Sequence, residues 1–141
     1  MNYMLDTNVV IDVLGHRRPL VRERLRGALS EDASITLSSI VLFELWYGVA
    51  RSQYRQKNAE RLRLFLSGDI QVAPLTEEDA LTAGELRAAL AAVGMPIGPY
   101  DLLIAAQALR SGATLVTANT SEFARVEGLA WEDWTLATQA A

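Results

Sequence analysis

The chain has 141 residues, half of them apolar, with no cysteine and a single histidine. That length supports one domain with a continuous core, and the composition is too apolar for a disordered chain. Thiol nucleophiles, thiolate zinc sites and two-histidine phosphodiester cleavage are excluded, and a Ser-His-Asp triad through His16 has no supporting motif, so catalysis is expected to run on carboxylates.

The opening "YMLDTN" reads as a short strand ending at Asp6, with Asp6, Thr7 and Asn8 all suited to cap a following helix. His16, before Arg17, Arg18 and Pro19, falls in an exposed loop. "PLVRERLRGALS" starts on a proline fit for a first helical turn and carries Leu20, Val21, Leu25 and Leu29 on one apolar side. "SITLS" is a second β-rich run. "SIVLFELWYGVARS" reads as an apolar helix buried on most sides, and "QKNAERLRLFLSG" as an amphipathic helix stopped by Gly68. "IQVAPL" is a third strand. "TEEDALTAGELRAALAAVG" is a helix with Thr76 as N-cap, three acids in its first turn and Gly94 as its stop. After the loop "MPIGP", "YDLLIAAQALRSG" is a small-residue helix. "TLVT" is a fourth strand, followed by a turn at "ANTSEF" and a last strand-like piece near "LAWEDWTL". Short strands alternating with helices predict an α/β fold, a parallel sheet flanked by helices on both faces.

No apolar run reaches the ~20 residues of a membrane helix, and the first residues lack the features of a secretory signal. A soluble cytoplasmic protein with no membrane contact is the expectation. The net charge is −4, but ten of the thirteen cations lie in residues 1–70. They form two clusters, Arg17, Arg18, Arg22, Arg24 and Arg26, then Arg51, Arg55, Lys57, Arg61 and Arg63. Such runs are usually solvated helix faces; a rim that tracks phosphates is the functional alternative.

The acids carry more information. In a parallel α/β sheet, ligands bind beyond the carboxyl ends of the strands. Asp6 ends the first strand and Glu122 follows the fourth. Asp101 opens a helix, where the helix dipole favours a carboxylate. Glu44 lies within an apolar helix, where an acid needs either a salt bridge, for instance to Arg87, or a bound cation. Acids converging on one crevice would call for a hard divalent ion with oxygen ligands.

The segments "MLDTN", "SSIVLFELWYG", "IGPYDLLIAAQAL" and "LVTANTSEFARVEGLAWEDW" together resemble the signature blocks of PIN-domain ribonucleases, in particular VapC-type toxins of toxin–antitoxin pairs. They occur in the expected order over nearly the whole chain, 1–141, as a single PIN-like domain with a sheet of four to five strands. The resemblance implies that Asp6, Glu44, Asp101 and Glu122 are the metal-binding catalytic quartet, with Thr7, Thr117 and Asn119 in support. Many PIN domains have aspartate where this chain has Glu122, which implies a longer reach or a water-bridged contact there. It further implies a Mg2+- or Mn2+-dependent endoribonuclease, a homodimer, a VapB-type antitoxin filling the crevice, and transfer RNA as a candidate substrate. Leu42, Phe43, Trp46 and Tyr47 are candidates for the antitoxin contact, with core packing preferred for most of them.

Three other readings compete. A non-catalytic PIN-like RNA-binding or scaffold domain would be expected to lose one of the four acids. A phospho-receiver needs a lysine after a late strand, and the only lysine is Lys57. An aspartyl phosphatase usually shows Asp-x-Asp, which "DTN" does not supply.

Overall fold

A computed structural model describes residues 1–137. In chain order the elements are β1 (Asn2–Leu5), α1 (Thr7–Gly15), α2 (Pro19–Ser30), β2 (Ser34–Ser38), α3 (Ser39–Ala50) and α4 (Arg55–Leu66). They continue with β3 (Ile70–Ala73), α5 (Glu77–Ala92), α6 (Pro99–Ser111), β4 (Thr114–Val116), α7 (Thr120–Phe123) and β5 (Trp131–Glu132). All strand pairings are parallel, in the order β3-β2-β1-β4-β5. The five-stranded parallel α/β architecture agrees with the sequence expectation.

Successive side chains on a strand point to opposite faces. Met4 and Leu5 on β1, and Leu115 and Val116 on β4, are all buried, so both faces of the sheet centre are covered. The strands proceed outward from β1 to β3, and the chain then returns to place β4 on the other side of β1. That reversal opens a crevice at the carboxyl ends of β1 and β4.

Local signals explain most boundaries. Ser38 caps α3 by accepting from Ile40 N at 2.9 Å. Pro99 opens α6, and Gly112 closes it at φ +66, a left-handed conformation that suits glycine. Thr76 and Asp79 form a reciprocal capping box at α5.

Asp79 also ties α5 to α6, accepting from Arg110 Nη1 at 2.8 Å. Burial pushes the Asp79 carboxyl up, but the Thr76 hydrogen bonds and Arg110 outweigh it and hold the group below its ordinary 3.8. Its contribution to stability is therefore present above that value and lost as the pH falls below it. The Arg110 side chain is 39% exposed and that of Asp79 7%. Asp79→Ala is thus expected to cost about 1–3 kcal/mol, less than the loss from a fully buried pair. Urea denaturation at pH 7 checks this, and the difference from wild type should shrink near pH 3.

Several expectations need correction. "ANTSEF" contains a one-turn helix, α7, rather than a plain turn, and β3 stops at Ala73. Helix α3 buries only Val41 and Leu45 fully, while Phe43 is 52% and Tyr47 58% exposed. Its apolar composition exceeds its contact with the core, so core packing does not account for these two aromatics. Residues 138–141, part of the expected 1–141 domain, lie outside the described residues.

Candidate active site

The four acids reach the crevice from four elements. Asp6 leaves β1 and caps α1, its Oδ1 accepting from Thr7 N at 2.8 Å. Glu44 stands one turn into α3, Asp101 in the first turn of α6, and Glu122 on α7 just beyond β4.

One hydrogen-bonded chain links all four. Thr7 Oγ1 donates to Glu44 Oε1 at 2.8 Å. Thr117 Oγ1 donates to Asp6 Oδ2 at 2.8 Å and itself accepts from Asn119 N at 3.0 Å. The Asn119 Nδ2 group then donates to Asp101 Oδ2 at 3.2 Å and to Glu122 Oε2 at 3.0 Å. Thr7, Thr117 and Asn119 are thus the links between the acids. The salt bridge considered for Glu44 does not form: Thr7 is its hydrogen-bond partner, and Arg87 makes no ion pair with it among the described residues.

The electrostatics are those of crowded like charge. Asp101 is pushed up to about 7, first by burial, then by its hydrogen bond with Glu122 and by repulsion from Asp6, Glu122 and Glu44. Glu122 is held below its ordinary value, chiefly by that same hydrogen bond from Asp101 and then by Asn119. The two shifts describe one shared proton resting on Asp101 and donated to Glu122. Burial raises Asp6 as well, against the hydrogen bonds from Thr117 and Thr7 that lower it.

Two contributors escaped the sequence reading. Arg125 lowers the Glu122 value through its charge, while its Nη1 donates to Pro96 O at 2.8 Å. The Gly98 backbone also hydrogen-bonds Glu122. Arg125 follows Glu122 by three residues within the "E-F-x-R" stretch, in the turn after α7 that is closed by Arg125 N donating to Glu122 O at 3.1 Å.

Among the described residues, no group of three or more acidic or histidine side chains is arranged to cage an ion directly. Their existing hydrogen bonds hold the acids facing one another without converging on one point. The donor set nevertheless suits a hydrated ion held by one or two carboxylates, the usual way magnesium is bound. Every candidate ligand offers oxygen, and a proton on Asp101 near neutral pH marks negative charge that has no full counter-charge.

Residues 3–129 match the PIN domain family. A tRNA(fMet)-specific endonuclease VapC from Shigella flexneri is 39% identical over 134 residues, 95% of this chain and 98% of its own. Ribonuclease VapC2 from Rickettsia felis shows the same identity and coverage. The solved structure of VapBC2 from Rickettsia felis, bound to a DNA fragment from their promoter, aligns with a TM-score of 0.87 at 36% identity. That alignment covers 94% of this chain and 98% of the other.

Proposed function

Since the chain belongs to the PIN-domain family, within its VapC ribonucleases, we propose that it is a divalent-metal-dependent endoribonuclease toxin silenced by a VapB-type antitoxin. The hydrogen-bonded chain from Glu44 through Thr7, Asp6, Thr117 and Asn119 to Asp101 and Glu122 carries this reading. A scaffold needs no such preorganised set of acids. We place it in the cytoplasm as one PIN-like domain over residues 1–141, working as a homodimer. Magnesium is the first choice of ion and manganese the second. Transfer RNA is the first choice of substrate, on the specificity named for the Shigella relative.

Asp6, Glu44, Asp101 and Glu122 are the residues that would hold a hydrated ion. A divalent cation there supplies Lewis-acid activation of water and charge neutralisation at a phosphodiester oxygen. The protein's part is positioning. Thr7 and Thr117 fix one oxygen each of Glu44 and Asp6, and Thr7 N holds the other Asp6 oxygen. Asn119 holds Asp101 and Glu122 with one amide group. Asp101 must give up its proton before it can act as a full ligand, so metal affinity, and with it activity at subsaturating metal, is expected to fall as the pH drops below about 7.

The experiment is a cleavage assay on total RNA with new 5′ ends mapped by sequencing. Cutting at discrete sites is expected with magnesium or manganese, abolished by excess chelator and restored by added metal. RNA binding without any cleavage would favour the scaffold reading; cleavage undiminished in chelator would overturn the metal assignment.

A further inference from the structure

Beside Glu44, helices α1, α3 and α4 line a half-open cavity of about 340 Å³. Its walls are apolar, contributed by Ile11, Leu14, Leu45, Val49 and Leu62. Gly48 brings bare helix backbone to the lining, and a Cβ added there would meet nothing within 4 Å.

The polar residues of the lining give the cavity a direction. Glu44 belongs to it and links it to the acid network through Thr7. Half-buried Asn58 commits its Nδ2 to Ser52 Oγ at 3.1 Å, which leaves its Oδ1 able to accept another bond. Arg17 and Arg61 are exposed, and neither guanidinium has a partner among the described residues. Other arginines of the two clusters are engaged: Arg18 with Asp12, Arg51 over Tyr47, and Arg63 over Trp46.

We propose that this cavity receives the base of one unpaired nucleotide adjacent to the cleaved phosphodiester, with Arg17 and Arg61 on the flanking phosphates. The inference rests on the ribonuclease reading and adds to it a substrate requirement. A base offers two apolar faces and a hydrogen-bonding edge, which the aliphatic walls and the Asn58 carbonyl complement. An RNA strand presents a phosphate at every step, meeting two free cations beside an acid site; a peptide would need acids at the same spacing. A base stacked inside a duplex cannot enter, so cleavage is confined to loops and single strands.

The test uses the full-length protein and an RNA oligonucleotide spanning a mapped cut site. A second oligonucleotide carries an abasic ribose on one side of the cut, and a third on the other. Wild type should lose at least about tenfold in kcat/KM on one of the abasic substrates. Gly48→Leu, which fills the cavity, should lose a similar amount on the intact RNA and be indifferent to the abasic change. Arg17→Ala with Arg61→Ala, both at exposed positions, should raise KM, flatten its salt dependence and spare kcat. Circular dichroism melting confirms that each variant is folded, and the arginine pair stands as the test should Gly48→Leu fail to fold. An active wild type indifferent to both abasic substrates overturns the base pocket while leaving the ribonuclease reading intact. Variants that bind antitoxin poorly yet cut RNA normally overturn it in favour of a peptide groove. A wild type that cuts no RNA overturns both.

Discussion

Asp101→Asn is expected to reduce cleavage by at least about a hundredfold, while the metal-free protein melts at the same temperature as wild type or higher. The substitution removes one charge with little change of shape, from a group facing Asp6, Glu44 and Glu122. The sign follows from the raised value. A carboxyl whose folded pKa lies above its ordinary 3.8 is most favourable to the fold when neutral, and it loses stability as the pH rises through about 7. Asparagine escapes that loss, so the mutant's advantage should be absent near pH 4 and largest at pH 8. Because Asp101 is only half-buried, solvent screening reduces the expected gain to about 1–2 kcal/mol, a few degrees in melting temperature.

Magnesium adds a second readout. Ligand linkage should stabilise the wild type by roughly 1–3 kcal/mol at tens to a hundred times Kd, and the mutant much less. If Asp101 instead served a buried ion pair, removing its charge would cost on the order of 3–5 kcal/mol and magnesium would change little. Melting curves with and without magnesium at pH 5 and pH 8 separate the two. A mutant that melts far below wild type, beside a wild type that ignores magnesium, would defeat the metal-site assignment.

Phe123→Ala should carry the largest cost in stability, about 3–5 kcal/mol, a substantial part of the 5–15 typical of a whole domain. Phe123 is fully buried and anchors α7 to the core. Its removal leaves a ring-sized void under a helix of four residues, which has too few hydrogen bonds to persist alone. The same short helix carries Glu122 and follows Asn119. Activity per folded molecule should therefore fall along with the urea midpoint, although Phe123 touches no reacting group. Phe123→Leu, which keeps most of the volume, should retain most of both. A change below 1 kcal/mol for the alanine variant would show that α7 is held by something other than this side chain.

The local rules written into the sequence determined the strands and most of the helices, and marked the four acids as candidates. Asp6 after an apolar run, Thr76 before three acids, and Gly112 after the helix of small residues act through neighbours a few positions away. Their effects are therefore legible without the fold. Glu44 stood out because a carboxylate inside an apolar helix needs a reason, whereas Asp6, Asp101 and Glu122 were marked by their places at strand and helix ends and were grouped with it only by the resemblance to PIN-domain ribonucleases. The burial of α3 was not legible: Phe43 and Tyr47 match the core residues in chemistry, and only the helix's orientation on the sheet leaves them exposed. Nor was the one-turn helix α7, too short for any periodicity to register, whose geometry depends on burying Phe123. That Glu44 has Thr7 rather than Arg87 as its partner likewise waited on the structure. Thr7 and Glu44 are 37 positions apart and meet because β1 and β2 pair in parallel, delivering the starts of α1 and α3 to the same edge of the sheet. Strand order and register are long-range properties, set by which faces can be covered together. It was that order, placing β1 next to β4, that brought Asp6 and Thr117 into contact across 111 positions of chain.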